Sequence, residues 1–216
     1  MGSPVDTGLV VAVVLAGGAG RRLGGVDKAG LVVGGRSLLD RVLSAAAGVA
    51  GRLVVVGPPR AVGLERAVIF VQEPEPGGGP VPAVAAALEA TGGASTVLVL
   101  AVDLPLLTTA DLRRLVDALV AAEPPVAAIA ASDPSGRPNP LVAAFRAEAL
   151  REAVAGLVGA EGGAGAGVPA ARLLPAGVVT VDLGADATLN VNTPADLARA
   201  EDLIAQSVHS TAGGAC

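Results

Sequence analysis

Short apolar runs, separated by glycine, proline and polar turns, recur along the 216 residues of the chain. Their lengths suit strands rather than helices. Most are apolar at successive positions, which is typical of strands buried on both faces of a sheet. The pattern predicts strands over residues 9–15, 31–33, 53–56, 68–71, 96–102, 126–131, 141–145 and 178–182.

Between the predicted strands, apolar residues recur at the three- and four-residue spacing of an amphipathic helix. One such stripe follows residue 37 and another follows residue 108. Further helices are predicted over 80–90, over 147–158 and after residue 193. N-terminal cap signals open three of these helices: Ser37 with Asp40, Thr108 with Asp111, and Thr193 with Pro194 and Asp196.

Strands that alternate with helices predict an α/β fold, a Rossmann-like αβα sandwich with a mostly parallel, mixed sheet. We expect a single domain over residues 1–206, followed by a disordered tail over 207–216. Ligands bind such sheets at the carboxyl ends of the strands. The glycine-rich segment after the first strand and Asp103 after the strand at 96–102 are therefore expected at the same edge.

Composition narrows the classes of function. The chain is 52% hydrophobic, yet no run reaches the roughly 18 consecutive apolar residues of a membrane span. A net charge of −5 and an aromatic content of 1% argue against binding to nucleic acid. Cys216 is the only cysteine, so neither an intrachain disulfide nor a Cys/His zinc site is expected. Residues 1–6 carry no positively charged secretory signal, so we expect a cytoplasmic protein.

Lys28 is the only lysine of a chain in which arginine supplies the other formal positive charges. An ammonium is a compact point charge, whereas a guanidinium is a broad planar fork. Because Lys28 closes a glycine-rich segment after a buried strand, we interpret residues 15–28 as a loop that holds a nucleoside triphosphate. A Walker A loop does not fit, because Asp27 and Ala29 flank the lysine where glycine and serine or threonine are required. A dinucleotide-binding fingerprint does not fit either, because Leu23 stands where its third small residue is required.

The same segment resembles the nucleotidyltransferase signature, and most closely that of the molybdenum cofactor guanylyltransferases, the MobA-type family. The residues that carry the resemblance are Leu15, Ala16, Gly17, Gly18, Arg22, Gly24, Gly25, Asp27 and Lys28. The later motifs that resemble this family are Gly79-Pro80, Val102-Asp103-Leu104-Pro105, Asn139-Pro140 in place of a His-Pro, and Asn190-Val191-Asn192-Thr193-Pro194. Together they span about residues 9–206, and they imply the nucleotidyltransferase form of the predicted fold.

The resemblance implies an enzyme that transfers GMP from GTP to the terminal phosphate of molybdopterin, with Mg²⁺ as cofactor and release of pyrophosphate. Gly17 indicates which base the enzyme recognises. In this family the sequence Leu-Ala-Gly-Gly is found in enzymes that use guanine nucleotides, whereas related cytidylyltransferases have Leu-Ala-Ala-Gly. GTP and molybdopterin are the implied partners, with transient contacts to other proteins of cofactor biosynthesis. The alternatives that stay open are a pterin cytidylyltransferase, a sugar-phosphate nucleotidyltransferase and a nucleotide-binding homologue without catalysis.

The resemblance also implies roles for individual residues. Lys28, Arg22 and Asp103 are the implied catalytic residues. The two cations would neutralise the triphosphate and the departing pyrophosphate, and the carboxylate would hold Mg²⁺, which proteins bind through one or two carboxylates together with substrate phosphates. Backbone N–H groups of residues 16–20 are expected to face the phosphates. Asn192 completes the metal shell or orients the pterin phosphate.

The expected nucleotide contacts are Leu15, Ala16, Gly17, Gly18, Gly20, Lys28, Glu73, Gly79 and Asp103, and the expected acceptor contacts are Asn139, Asn190 and Asn192. Several motifs depart from the family pattern, while the residues of the triphosphate half match it, so the sequence predicts a complete triphosphate half and an altered acceptor half. The departures are Gly57-Pro58 for an asparagine that contacts the base, Glu73 or Glu75 for an aspartate, Pro82 in the second glycine motif, Asn139 for a histidine, and Arg172 alone for a basic cluster.

Overall fold

A seven-stranded sheet forms the centre of the molecule. The structure, a computed structural model, describes residues 10–17, 26–133, 135–160 and 165–212, without the side chains of 160 and 208–212. The strands are β1 (Val10–Leu15), β2 (Val32–Val33), β3 (Arg36–Ser37), β4 (Arg52–Val56), β5 (Val68–Val71), β6 (Thr96–Ala101), β7 (Ala128–Ser132), β8 (Pro138–Arg146) and β9 (Val179–Val181). β2 and β3 form a separate antiparallel pair.

The large sheet has the order β5-β4-β1-β6-β8-β7-β9. β5, β4, β1 and β6 are parallel to one another. β8 runs antiparallel to both of its neighbours, and β9 is parallel to β7. The sheet is therefore mixed but mostly parallel, which confirms the predicted α/β class.

The α-helices of the described residues are α1 (Leu38–Ala47), α2 (Pro80–Leu88), α3 (Thr109–Ala121), α4 (Ala147–Ala160) and α5 (Pro194–Ala212). Three of them, α1, α3 and α5, begin where the local cap signals predict. The Ser37 hydroxyl accepts a hydrogen bond from the Asp40 N–H at 3.0 Å. Thr108 and Asp111 form a reciprocal capping box at the start of α3. These bonds satisfy N–H groups that the first helical turn leaves without partners.

Helices cover both faces of the sheet, and β1 shows the division most clearly. Its residues 10, 12 and 14 pack in an apolar layer with α1 and α3, against which α5 also packs. Its residues 11, 13 and 15 pack in a second layer with α2 and α4. Successive side chains of a strand point to opposite faces, so an all-apolar strand supplies both layers of the predicted sandwich.

Backbone hydrogen bonds continue past the strand ends at one edge of the sheet. The N–H of Ala16 donates to the carbonyl of Val56 at 3.0 Å, and the N–H of Gly57 donates to that of Val71 at 2.9 Å. The Val102 N–H donates to the Leu15 carbonyl at 3.2 Å. The loops that leave β1, β4 and β6 are therefore held at fixed separations where a ligand is expected.

The two largest differences from the expected element boundaries are in β8 and α5. β8 begins at Pro138 rather than at 141, because Asn139 pairs with Ala131 of β7 beyond an irregularity in that pairing. α5 extends to Ala212, past residue 207 at which we expected a disordered tail to begin. Residues 207–212 contain neither glycine nor proline, so the sequence holds no strong helix breaker before position 213. Among the described residues, no helix is both long and apolar enough to cross a membrane.

Candidate functional site

A cleft of about 850 Å³ lies at the carboxyl ends of β1, β4, β5 and β6. Its volume is within the range of sites for small ligands and cofactors. Most of its walls come from loops that directly follow strands, as expected for an α/β sheet. The lining residues are Leu15, Gly17, Lys28, Val56, Gly57, Pro58, Gln72, Glu73, Pro76, Gly77, Gly79, Pro80, Ala83, Ala101, Val102, Asp103, Leu141 and Asn192.

The ammonium of Lys28 lies between two acceptors from distant parts of the chain. Its Nζ donates to Oδ2 of Asp103 at 3.0 Å and to Oδ1 of Asn192 at 2.5 Å. The side chains of Lys28 and Asp103 are 16% and 17% exposed, so this ion pair is shielded yet open to the cleft. The lysine and the carboxylate that the sequence singled out thus border one shared cavity.

Asp103 presents one carboxylate oxygen without a protein partner. Its Oδ2 accepts from Lys28, whereas Oδ1 is buried and has no hydrogen-bond partner among the described residues. Burying an unpaired polar atom is costly, and a carboxylate oxygen is a ligand that Mg²⁺ prefers. The chemistry of Asp103 therefore fits a magnesium ligand. No group of three or more His, Cys, Asp or Glu that could hold a metal by itself occurs in the described ranges.

The start of α5 fixes the position of Asn192. Oδ2 of Asp196 accepts from the backbone N–H of Asn192 at 3.0 Å and of Thr193 at 2.8 Å. The Thr193 hydroxyl in turn accepts from the Asp196 N–H at 3.2 Å. The Asn192 N–H lowers the pKa of the Asp196 carboxyl, and the hydroxyl and N–H of Thr193 lower it further against a smaller opposing effect of burial. The charged carboxylate is therefore the form that this cap favours.

Glycine and glutamate shape the part of the cleft wall that comes from residues 72–79. Oε2 of Glu73 accepts from the Gly77 N–H at 2.9 Å, and this hydrogen bond joins the two ends of the loop segment 73–77. Gly77 and Gly79 have φ angles of +90° and +105°, which favour glycine over residues with a side chain. Pro82 lies in the first turn of α2, where proline is tolerated, and it leaves the helix intact.

The segment that carries Lys28 is tied to the loop after β4. Lys28–Gly30 forms a single 3₁₀ turn, and Oδ1 of Asp27 caps it by accepting from the Ala29 N–H at 3.2 Å. Oδ2 of Asp27 accepts from Nη1 of Arg60 in a short ion pair. Arg60 lies in the same loop as the cleft residues Gly57 and Pro58.

The structure brings most, but not all, of the expected site residues to the cleft. Those that line it are Leu15, Gly17, Lys28, Glu73, Gly79, Asp103 and Asn192. Gly18, Gly20 and Arg22 lie outside the described residues, so their roles stay predictions.

The expectation for the Ala16 N–H was wrong. This group does not face phosphates, because it donates to the carbonyl of Val56 and extends the sheet pairing.

Two expected acceptor residues do not line the cleft. Oδ1 of Asn139 accepts from the Leu141 N–H at 3.0 Å, so this side chain bonds to the backbone of its own strand β8. The Asn190 amide donates to the Thr188 carbonyl at 3.4 Å. Of the three predicted asparagines, Asn192 is the one that the structure brings to the cleft, where it contacts Lys28.

Several residues in the cleft or in the loops beside it were not predicted from the sequence. Gln72 follows β5 directly, so the rule that loops after parallel strands form the site could have found it. Arg60 lies a few positions after β4, and the same rule points to its loop. Leu141 had no such signal, because it lies within the antiparallel strand β8 and reaches the cleft only through the strand order.

Comparison with known proteins gives consistent results. A family model described as the MobA-like NTP transferase domain matches residues 12–173. The chain is 34% identical over 207 residues to a molybdenum cofactor guanylyltransferase of Cereibacter sphaeroides, covering 89% of this chain and 95% of that protein. Asn192 and the helix cap at Asp196 lie beyond the residues that the family model matches.

Two solved structures share the fold. One is 2-C-methyl-D-erythritol 4-phosphate cytidylyltransferase from Thermus thermophilus, with 26% identity, a TM-score of 0.64, and 89% of this chain and 97% of that chain covered. The other is molybdopterin-guanine dinucleotide biosynthesis protein A from Archaeoglobus fulgidus, with 24% identity, a TM-score of 0.65, and 91% and 99% covered.

Proposed function

Because the chain belongs to the MobA-like NTP transferase family, we propose that it transfers GMP from GTP to the terminal phosphate of molybdopterin. The observation that carries the proposal is the convergence of Lys28, Asp103 and Asn192 at one wall of a nucleotide-sized cleft. The 34% identity to a molybdenum cofactor guanylyltransferase over most of both chains supports this choice of substrates.

In the proposed reaction, an oxygen of the acceptor's terminal phosphate attacks the α-phosphorus of GTP. The bond between that phosphorus and the oxygen bridging to the β-phosphorus breaks, and pyrophosphate leaves with the electron pair. The nucleophile is already an anion, so the reaction needs no general base from the protein. The task of the chain is to hold two polyanions in line and to stabilise the charge that develops on the leaving group.

Lys28 supplies a positive charge that its neighbours hold in place. Two of the three donors of an ammonium are directed at Asp103 and Asn192, which leaves one for a phosphate oxygen. Because the ammonium is shielded in the cleft wall, its attraction to the leaving pyrophosphate is stronger than it would be in bulk water. Arg22, a residue outside the described ranges, is proposed as a second cation from the sequence alone.

Asp103 is the proposed residue for Mg²⁺, through the buried Oδ1 that has no partner among the described residues. Bound Mg²⁺ would neutralise negative charge on the phosphate oxygens of the nucleotide. Oδ2 of the same carboxylate would keep its bond to Lys28, so one side chain orients both positive charges.

The base and ribose are proposed to lie against the wall formed by Gly57, Pro58 and Glu73. A carboxylate only accepts hydrogen bonds, so Glu73 suits the hydroxyls of a ribose or the N–H groups of guanine. A Cβ built at Gly17 meets no atom of the described residues within 4 Å. Since Gly17 lines the cleft, an added methyl would occupy open cleft space, which supports a preference for the larger base.

The test is pyrophosphate release by the purified protein with Mg²⁺ and each of the four nucleoside triphosphates, with and without molybdopterin. We expect release only with GTP and molybdopterin together, and a product whose mass equals molybdopterin with an added GMP group. Gly17→Ala is expected to lower the ratio of GTP to CTP turnover. Turnover with CTP alone, or with a sugar phosphate as acceptor, would overturn the assignment, as would nucleotide binding without release for any acceptor.

A further inference from the structure

The proposed mechanism assigns no task to the ion pair between Asp27 and Arg60. Both oxygens of the Asp27 carboxylate are engaged, one by the Ala29 N–H of the Lys28 turn and the other by Nη1 of Arg60. The two ion-pair partners are 33 residues apart in sequence. The carboxylate therefore connects the turn that carries the lysine to the loop that follows β4.

The turn itself contributes few hydrogen bonds to holding the lysine in one position. Lys28–Gly30 is three residues long, and a 3₁₀ turn of this length has few and poorly aligned hydrogen bonds. Its own backbone bonds run from the Gly30 N–H to the Asp27 carbonyl at 3.2 Å and from the Leu31 N–H to the Lys28 carbonyl at 3.1 Å. Contacts outside the turn therefore fix it: Ala29 is fully buried in the apolar core, and the Asp27–Arg60 pair attaches the start of the turn to the loop after β4.

The pair is poorly suited to stabilising the fold. The Asp27 side chain is 56% exposed, and exposed ion pairs contribute little to stability. Nε of Arg60 is buried without a hydrogen-bond partner in the described part of the chain, which costs free energy. What the pair does provide is a fixed distance between two loops that border the cleft, since Gly57 and Pro58 belong to the same loop as Arg60.

We infer that Arg60 is a positioning residue for Lys28, acting through Asp27. The guanidinium holds the carboxylate, the carboxylate holds the turn, and the turn aims the ammonium at the triphosphate. The position of the ammonium is a property of the folded chain alone. Only its consequence for turnover rests on the proposed function.

The unique lysine gives a direct readout of this position. Protein grown with lysine labelled with ¹³C at the ε carbon has one labelled side chain, so its NMR spectrum should contain one lysine signal. We expect Arg60→Met to shift or broaden that signal in the nucleotide-free protein. The matched control is Arg66→Met, which removes an arginine that donates to the carbonyls of Ala47, Ala50 and Gly51. It should leave the signal in place.

Kinetics test the consequence. Asp27→Asn keeps an amide oxygen to cap Ala29 but turns an NH₂ group towards the donors of Arg60. A misplacement of about 1 Å can cost about 100-fold in rate, so Arg60→Met and Asp27→Asn should each lower kcat by about 10- to 100-fold. KM for GTP should change less. The double variant should be no slower than either single variant, because both remove the same link. Arg60→Lys, which restores a donor and a positive charge, should recover part of the loss.

The outcomes separate the two proposals. An unchanged Lys28 signal in Arg60→Met overturns the positioning role, whatever the activity. Additive losses in the double variant overturn it as well, because the two residues then act independently. A signal that moves in Arg60→Met but not in Arg66→Met supports the positioning role. If the parent protein also shows no turnover of GTP, the proposed function is overturned and the positioning role still stands. Circular dichroism of each variant confirms that the comparison concerns folded protein.

Discussion

One ammonium group joins three distant parts of the chain. Lys28 lies near the first strand, Asp103 follows β6, and Asn192 precedes the last helix, yet both acceptors lie within 3.0 Å of the same nitrogen. A guanidinium carries its charge on a broad plane and cannot occupy the place of a compact ammonium between these acceptors. The arrangement gives a physical reason for the one lysine of a chain that otherwise uses arginine.

The first prediction concerns that residue. Lys28→Ala and Lys28→Arg should each lower kcat/KM for nucleotide transfer by 100-fold or more, which corresponds to about 2.7 kcal/mol of lost transition-state stabilisation. Pyrophosphate release under steady-state conditions is the measurement. Arg113→Ala is the control, because that cation is exposed on α3, donates to the Gly48 carbonyl and does not line the cleft. A Lys28→Ala protein that keeps its rate would remove the lysine from the mechanism.

The second prediction concerns the unpartnered oxygen of Asp103. Asp103→Asn preserves the size of the side chain but removes the charge that favours a divalent cation. Titration calorimetry should then show that GTP affinity no longer rises when Mg²⁺ is added. Asp117→Asn, on the exposed side of α3, should retain the full magnesium response. An equal response in the Asp103 variant would contradict the metal assignment.

At the scale of elements, the N-termini of the helices connect packing with the site. The caps of α1 and α3 serve the fold, whereas the cap of α5 also orients a cleft residue. Asp196 binds the backbone N–H of Asn192, and Asn192 in turn contacts Lys28. A charge at the end of one helix therefore affects the geometry of a cleft built mostly by other elements.

The third prediction follows from the lowered pKa of Asp196. Because the folded state favours the charged carboxylate, this group stabilises the fold above its unfolded pKa of about 3.9, and the contribution is lost as pH falls through the lower folded value. Urea unfolding should show that Asp196→Asn is less stable than the parent at pH 7. The difference in unfolding free energy between the two proteins should narrow as the pH falls below about 4.

A control on the same helix separates this effect from a general loss of charge. Asp202→Asn removes an exposed carboxylate of α5 that lies away from the helix start. An Asp196→Asn protein whose deficit stays constant with pH would show that the cap acts through shape and not through charge.

At the scale of the whole molecule, β1 lies between β4 and β6 and supplies both apolar layers, so the cleft opens at the end of the most deeply packed strand. All six residues of β1 are buried. A ligand at this edge contacts loops held by the central strands of the sheet. Binding is therefore coupled to the stability of the entire fold.

The fourth prediction uses this coupling. A ligand that binds only the folded state stabilises it by about 2.7 kcal/mol at 100 times its dissociation constant. GTP with Mg²⁺ should raise the melting temperature of the protein more than CTP, UTP or ATP at the same concentration. Lys28→Ala should reduce the response to every nucleotide, since it removes a contact to phosphate. A response to CTP alone would contradict guanine recognition.

The parts of the fold that could be predicted from the sequence depend on local or repeating physics. The cap pairs at Ser37 and Thr108 act within one helical turn, and the apolar runs reveal the buried strands without any tertiary information. The meeting of Lys28 and Asp103 was predictable as well, because the carboxyl ends of neighbouring parallel strands share one edge.

The rest depends on contacts that leave no local pattern. Nothing near Asp27 in the sequence identifies Arg60 as its partner, and the Ala16 N–H is used by Val56 only because β1 and β4 are neighbours. Asn139 and Asn190 lie in motif-like segments, but their side chains satisfy nearby backbone groups instead of lining the cleft. Tertiary position, and not residue type, separates them from Asn192.

The carbonyl of Asp103 accepts from the N–H of Val191 at 2.9 Å, close to where Asn192 meets the lysine. During synthesis, Lys28 and Asp103 leave the ribosome well before residues 191 and 192 are made. A nascent or truncated chain that ends at residue 173, the limit of the family match, would thus possess both charges but lack the contacts that Val191 and Asn192 make to them. The full set of contacts around the ammonium can therefore form only after residues 191 and 192 have been synthesised.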